Sequence, residues 1–400
     1  MGNSGNSQRR RSRHFSYLVI IFGLVSLSCI LFPLSSILNR DQKTDNNDNN
    51  IQELASTEEA ISSENMPTRA PVDETVDGVD IHYVYTNSVV TALYHLYGTI
   101  LDDFVDITLT NNGNDDLTFV VRSEIEGYTN QTSDTVDVPA GESMEIHQNP
   151  RLMEGAVDQL NSEKPGTFHI KVVKLDGGDE ILLLDETEEV LMYSRRDFVW
   201  LEGFEWQEEY ELWAAWVTPT DPKVEELIRA AADYTKTGTM WNGYAGYVND
   251  ENGGVWDRLQ AIWQAEKEEY ELTYISTMTA FGPNTVQRMR LPAEVLDQSS
   301  GNCVELVTLF NSAAEALDLE TALVRIPGHV FSAIRMDEEN ADYYFVETTM
   351  IGQSSFEDAV NFGAKEWEDS KPHFDAGEQG YTWVNLPEMR EKGILPIPWN

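Results

Sequence analysis

An uncharged run over residues 15–38 constrains this chain of 400 residues more than any other feature of its sequence. A helix rises 1.5 Å per residue, so a run of this length can cross a hydrocarbon core of about 30 Å. Four arginines lie between residues 9 and 13, and no acidic residue occurs before Asp41. Because basic flanks remain on the cytoplasmic side, the pattern predicts a cytoplasmic tail (1–14), a single transmembrane anchor (15–38) and an extracellular remainder.

A cleaved signal peptide is the alternative interpretation, since the residues before the apolar run are basic. The run is long for a signal sequence, however, and no A-x-A-like site follows it. Ser26-Leu27-Ser28 before Cys29 fits a lipoprotein cleavage site poorly, and Asn6 breaks the myristoylation motif. The sequence therefore favours an uncleaved anchor.

The remainder of the chain is strongly acidic. Residues 41–400 carry 69 acidic and 22 basic side chains, and such a surface repels phosphate backbones, so no nucleic-acid partner is expected. Residues 41–78 contain ten acids, two bases and no aromatic residue. A segment of this composition buries too little apolar surface to fold, which predicts a disordered acidic linker over residues 39–78.

Strand and turn patterns alternate over residues 79–196. The segments 104–110, 117–125 and 166–175 are rich in β-branched and aromatic residues, and clusters such as 111–116 (NNGNDD) separate them. This spacing predicts a β-sandwich domain, which resembles the immunoglobulin-like modules of bacterial and archaeal surfaces. The histidines in this region lack the spacing of metal ligands.

Helical patterns open the following domain, predicted over residues 197–386. Asp221-Pro222 is a capping residue followed by proline, and it starts a helix to about residue 236. Apolar residues at helical spacing predict a second helix over 255–269. Residues 387–400 are expected to form a C-terminal tail. Because strands and helices are largely segregated between the two predicted domains, the fold class is α+β.

Cys303 is the one cysteine outside the apolar run that contains Cys29. Residues 299–302 (SSGN) supply a turn and a cap, and the apolar stripe after Cys303 predicts a helix, so the thiol lies in its first turn. The helix dipole and unpaired N–H groups there favour a thiolate. The alternative is a small, inert core residue.

A histidine and a carboxylate follow at positions that can meet this thiol. Strands are predicted over 321–327 and 329–336, with the break at Pro327-Gly328 placing His329 at a strand start. A third strand, 343–350, carries Glu347. A nucleophile on a helix, a base on a strand and an orienting acid on the next strand can converge.

Four motifs in this region resemble the transglutaminase-like superfamily, whose core is papain-like. They are Q-x-x-x-x-P-x-E-x-L (287–296), G-x-C-x-E (301–305), P-G-H-x-F (327–331) and V-E-T-T (346–349). The resemblance spans residues 222–352 and implies Cys303 as nucleophile, His329 as general base and Glu347 as third member. Two departures are Val304, where many relatives carry an acid, and Glu347 in place of the commoner aspartate.

The resemblance implies thioester acyl transfer from protein or peptide amides, without a cofactor. The backbone N–H of Cys303 would stabilise the oxyanion, and Gln287 is the candidate second donor, with a structural hydrogen bond to the loop before Pro292 as the alternative. Hydrolysis is favoured slightly over crosslinking, because water is abundant outside the cell. A catalytically inactive peptide-binding or structural module is the alternative function. No metal site is predicted, because no His or Cys pair near Cys303 has ligand spacing.

Overall fold

The computed structural model describes residues 69–158, 160–201, 206–240, 247, 249, 253–277 and 286–398. All of them belong to one compact unit of mixed α and β structure. The predicted cytoplasmic tail, the anchor over 15–38 and linker residues 39–68 lie outside the described residues. Within the described part, no helix is both long and apolar enough to cross a bilayer.

Two sheets enclose the first hydrophobic core. The first sheet has the order β1 (Arg69–Val76), β2 (Val79–Thr86), β4 (Val105–Asn111), β7 (Ser143–Gln148). The second has the order β3 (Ser88–Val90), β9 (Asp179–Tyr193), β8 (Lys164–Asp176), β5 (Leu117–Ile125), β6 (Thr132–Val138). Alternate side chains of both sheets, such as Tyr83 and Phe168, are fully buried in one shared cluster, which is the period-2 burial expected of packed sheets.

Strand β1 lies inside the segment that was expected to be disordered, and that expectation fails for residues 69–76. The strand pairs antiparallel with β2 from Arg69–Thr86 to Val76–Val79. It forms the edge of its sheet, where Pro71 is tolerated although it lacks an N–H donor. Composition alone missed the strand, because the surrounding segment is rich in acids and one face of the strand remains in solvent.

A third sheet and the helices form the remainder. The sheet has the order β16 (Tyr343–Val346), β15 (His329–Arg335), β14 (Thr321–Ile326), β17 (Thr382–Asn385), all antiparallel. The short pairs are β10 (Asp197–Val199) with β12 (Val286–Arg288) and β11 (Thr273–Tyr274) with β13 (Ser300–Gly301). The α-helices are α1 (Trp206–Glu211), α2 (Pro222–Ala231), α3 (Val255–Glu268), α4 (Pro292–Asp297), α5 (Cys303–Glu315), α6 (Phe356–Asp375) and α7 (Leu386–Lys392). Short 3-10 helices span Thr91–Leu96, Leu212–Trp216, Ala232–Tyr234 and Thr348–Met350.

Helix α5 is the centre of this second part. It packs against β14 and β15, and every side chain from residue 303 to residue 314 is buried. A helix that is covered on all sides needs apolar or hydrogen-bonded residues all round, not only along one stripe. Thr308 accordingly accepts a hydrogen bond from Trp213 Nε1 at 3.0 Å, and Asn311 Nδ2 donates to Ser332 Oγ at 2.7 Å.

One hydrophobic cluster crosses the predicted boundary at 196/197. It joins Leu93 and Tyr193 of the β-rich part to Trp216 and Cys303. The predicted C-terminal tail contributes as well, because Ile397 is buried in the cluster and its N–H donates to Ala215 O at 2.7 Å. Residues 386–392 form α7, so residues 387–398 belong to the folded unit and the expectation of a separate tail is wrong for them.

Candidate active site

Cys303 is the first residue of α5. Its position is fixed by a capping box, in which Asn302 Oδ1 accepts from Glu305 N and Glu305 Oε2 accepts from Asn302 N, both at 3.0 Å. The thiol side chain is buried, with 6% of the residue exposed. The first residues of a helix have N–H groups outside the intrahelical ladder, so the sulfur lies beside unpaired donors at the positive end of the dipole.

Glu305 organises the approach to this helix as well as its cap. Its Oε1 accepts from the backbone N–H and from Nε of Arg290, both at 2.9 Å, and its Oε2 accepts from Arg290 Nη2 at 2.6 Å. Gly301 permits the tight turn before the cap, because a Cβ there would lie 2.9 Å from Leu306 Cδ2. The glycine and the glutamate of the G-x-C-x-E motif thus fix the position of the cysteine.

His329 is the first residue of β15. A two-residue turn, Pro327-Gly328, joins β14 to β15, and Ile326 and His329 are the last pair of the ladder. Gly328 has a φ of +76°, a conformation that favours glycine. The P-G-H motif therefore places the imidazole at the hairpin end, where it lines the same small pocket as Cys303.

Glu347 follows β16 directly and caps the 3-10 helix at 348–350. The predicted third strand ends at Val346, four residues earlier than expected. Glu347 Oε2 lies 2.5 Å from His329 Nε2, and its Oε1 accepts hydrogen bonds from the backbone N–H and the hydroxyl of Thr349. The V-E-T-T motif thus contains both the carboxylate and the residue that orients it.

The three side chains form a continuous chain from sulfur to carboxylate. Because Nε2 of His329 contacts Glu347, Nδ1 is the ring atom left for Cys303. Burial lowers the pKa of His329, but the hydrogen bonds to Cys303 and Glu347 outweigh it and raise this pKa to about 10. Burial would raise the pKa of Glu347, yet the hydrogen bond and charge of His329 bring it below its ordinary value.

A further carboxyl group, Glu366 of α6, belongs to the site and was missed from the sequence. Its Oε1 lies 3.7 Å from His329 Nε2, and one of its carboxyl oxygens lies within 4.8 Å of a carboxyl oxygen of Glu347. The signal was present, since Glu366 follows Ala359 and Gly363 on the buried face of α6 at helical spacing. A charged residue in an apolar stripe can indicate a site.

A small open pocket of about 140 Å³ gives access to the sulfur and the imidazole. Its walls are Cys303, Val304, Arg325, Ile326, Gly328, His329 and Val330. Arg325 is 8% exposed, donates from Nη1 to Gly380 O at 2.7 Å and lies 4.4 Å above the centre of the Tyr210 ring. Arg325 therefore adds a basic side chain to the wall of the pocket that contains the sulfur.

Gln287, the predicted oxyanion donor, is buried on β12, which pairs with β10. Its Nε2 donates to Arg288 O at 2.7 Å. The acceptor is the last residue of β12 and not the loop before Pro292, so the oxyanion role and its structural alternative both stay predictions.

Among the residues that the structure describes, two groups of side chains are close enough to be considered for a cation, because their potential ligand atoms lie within 4.8 Å of one another. They are Asp103, Asp106 and His147 on the first sheet, and His329, Glu347 and Glu366 in the site. We assign no metal to either group, because direct hydrogen bonds between their members already explain the geometry. His147 Nδ1, for example, lies 2.6 Å from Asp106 Oδ1.

Comparison with known proteins adds little to this geometry. No protein-family model matches the chain, and no curated protein sequence matches it. Similar solved structures include a protein from Archaeoglobus fulgidus, with 9% identity and a TM-score of 0.20 over 32% of this chain and 95% of that chain. Another is a protein assigned to the late embryogenesis abundant (LEA) group, with 8% identity and a TM-score of 0.18 over 34% and 77%. Similarities this low carry no argument about function.

Proposed function

We propose that this chain is a membrane-anchored, extracellular cysteine enzyme of the transglutaminase-like type that transfers acyl groups from protein or peptide amides. The observation that carries the proposal is the position of His329, which lines the same small pocket as Cys303 and lies 2.5 Å from the carboxylate of Glu347. Nucleophile, base and orienting acid in this order are the requirement for covalent acyl transfer. The papain-like core, the immunoglobulin-like character of the β-rich part and the anchor belong to the same proposal.

In the resting state, the proton lies on His329 and the negative charge on Cys303. The raised pKa of His329, about 10, keeps the imidazole protonated at neutral pH, which is the partner that the proposed ion pair needs. The sulfur attacks the amide carbonyl carbon and forms a C–S bond, and the carbonyl electrons move to the oxygen. In this proposal the backbone N–H of Cys303, the first residue of α5, donates to that oxyanion.

The tetrahedral intermediate collapses by breaking the C–N bond. His329 transfers its proton to the departing amine, which leaves a thioester on Cys303 and a neutral imidazole. Water then attacks the thioester while His329 removes its proton, and the acid and the thiolate–imidazolium pair are regenerated. An amine in place of water gives a crosslink instead, and hydrolysis is the outcome that we favour, because water is abundant outside the cell.

The proposal is tested by the rate at which iodoacetamide alkylates Cys303 at pH 6 in the full-length protein, with Cys29→Ser as background. Thiolate is the reactive form, so an ion pair should react rapidly at a pH where ordinary thiols are protonated. His329→Ala should slow alkylation by about tenfold or more. His82→Ala is the matched control, because His82 is half-exposed and paired with Asp73 on the first sheet.

Equal, slow alkylation of all three proteins would contradict the ion pair and favour the inactive binding module. The substrate is sought separately, by comparing the surface proteins that are cleaved or crosslinked by wild type and by Cys303→Ala. Products that form with both proteins would contradict catalysis by Cys303.

A further inference from the structure

The site contains more carboxyl groups than a nucleophile–base–acid arrangement needs. Carboxyl oxygens of Glu366 and Glu347 lie within 4.8 Å of each other, and Oε2 of Glu366 is buried without a hydrogen-bond partner in the part of the chain that the structure describes. Glu347 is itself 2% exposed. Two ionised carboxylates cannot remain in contact at such a covered place, so the pair retains one proton.

The surroundings decide which oxygen carries that proton. The ionised form of Glu347 is the better stabilised of the two, because this carboxylate receives hydrogen bonds from His329 and Thr349. Burial, followed by the charge of Glu347 and the hydrogen bond to it, raises the pKa of Glu366 to about 8. The proton therefore lies on Glu366, as an O–H that can donate to the Glu347 carboxylate.

We propose that Glu366 is a positioning residue, which as a protonated acid donates a hydrogen bond to Glu347 and holds the carboxylate that orients His329. This inference rests on the proposed function and extends the site from three side chains to four. It also gives α6 a role in the chemistry, although Glu366 acts on the reaction only through Glu347 and His329.

The backbone makes this arrangement possible. The N–H of Glu347 donates to Ala359 O of α6 at 3.1 Å, which ties the end of β16 to the helix. The charged groups that act on Glu366 are Glu347 after β16, His329 on β15 and Asp369 on α6 itself. Of these, His329 favours the ionised form and both acids favour the proton.

Three variants of the full-length protein test the proposal. Glu366→Gln keeps a donor of the same size but cannot ionise, Glu366→Ala removes the donor, and Glu368→Gln makes the same chemical change on the exposed side of α6. The readouts are the pH titration of the His329 ring by ¹⁵N NMR and the rate of Cys303 alkylation. Far-UV circular dichroism checks that each variant is folded.

In wild type and Glu368→Gln, the ring shifts of His329 should show an inflection near pH 8, where Glu366 ionises beside it. Glu366→Gln should lose this inflection while its alkylation rate stays within about threefold of wild type. Glu366→Ala should slow alkylation by about tenfold, because a hydrogen bond to a charged group is lost.

Two results would overturn the role of Glu366. One is an inflection near pH 8 that persists in Glu366→Gln, and the other is an alkylation rate for Glu366→Ala equal to that of wild type. A purely structural residue would change stability without changing the ring titration. Because NMR reads the ring whether or not Cys303 acts on a substrate, this test can succeed even where the proposed enzyme activity fails.

Discussion

Gly363 of α6 lies directly against the backbone of Phe345 in β16. A Cβ at residue 363 would come within 2.6 Å of Phe345 O and 2.7 Å of its carbonyl carbon. The missing side chain is thus what lets α6 approach the sheet closely enough for Glu366 to reach Glu347. Gly363 sets the distance between helix and strand, and it lies three residues before Glu366, whose position beside Glu347 depends on that distance.

Gly363→Ala should therefore disturb both stability and the site. Overpacking at such a contact costs about 1–3 kcal/mol of the free energy of unfolding, measured by urea denaturation. Alkylation of Cys303 should slow as well, because α6 moves away from Glu347. Asn361→Ala, at an exposed position of the same helix, is the control and should change neither quantity. A fully stable Gly363→Ala protein would contradict the close contact.

Glu347→Gln is expected to lower the pKa of His329. The hydrogen bond and charge of Glu347 both raise that pKa, and an amide of equal size supplies no charge. Each unit of pKa lost corresponds to about 1.4 kcal/mol of ion-pair stabilisation. The measurement is the pH at which the ring of His329 deprotonates, with Glu357→Gln on the exposed side of α6 as control. An unchanged titration would show that Glu347 does not govern the imidazole.

Removal of Glu305 should destabilise the protein although Glu305 does not touch the thiol. Glu305→Ala leaves Arg290 without its carboxylate and removes one half of the cap of α5. Breaking one partner of a buried pair costs about 3–5 kcal/mol. The double change Glu305→Gln with Arg290→Met should recover part of the loss in urea denaturation. If Glu305→Ala and the double variant had equal stability, the result would contradict a buried pair of Glu305 and Arg290.

Stability should fall as the pH rises from about 4.5 to 8. Burial raises the pKa of Glu209 and of Glu266 to about 8, so the folded state binds more protons than the unfolded state in this window. Each group then contributes a slope of up to about 1.4 kcal/mol per pH unit. Glu266→Gln should flatten the slope and raise the melting temperature at pH 8, compared with Glu268→Gln. A melting temperature that is constant from pH 5 to 8 would contradict both assignments.

His329 also makes the stability fall with rising pH, over a second and higher pH range. Its pKa is raised in the folded state, to about 10, so its contribution is fully present below pH 6.5 and is lost as the pH rises through 10. His329→Gln should therefore reduce stability at pH 6 more than at pH 10. The comparison of the two pH values in urea denaturation is the check, and equal losses would contradict the shifted pKa.

The local patterns around the site were sufficient to predict its main elements. The cap before Cys303 and the break at Pro327-Gly328 depend on neighbours in sequence, and the helix and strands begin at the predicted residues. Helix α2 was predicted to end near residue 236 but ends at Ala231 and continues as a 3-10 turn. Helix ends are weakly encoded, because fraying and tertiary contacts decide them.

The features that were missed depend on partners far away in the sequence. Glu366 becomes part of the site only because Gly363 lets α6 pack on β16. Ile397 is buried because its N–H and side chain find a place beside Ala215, which no pattern near the C-terminus indicates. Strand β1 forms because its backbone pairs with that of β2. Whether Cys303, His329 and Glu347 catalyse a reaction stays a prediction that the experiments above address.

The deep position of Cys303, only 6% exposed, acts as a size filter on whatever attacks it. Oxidation of a cysteine needs both a thiolate and access to it. A large molecule reaches the sulfur only through a narrow extended group that fits the pocket, whereas peroxide is small enough to enter directly. A protein with this arrangement would keep its thiol for a long time among large oxidants and would lose it first to the smallest ones.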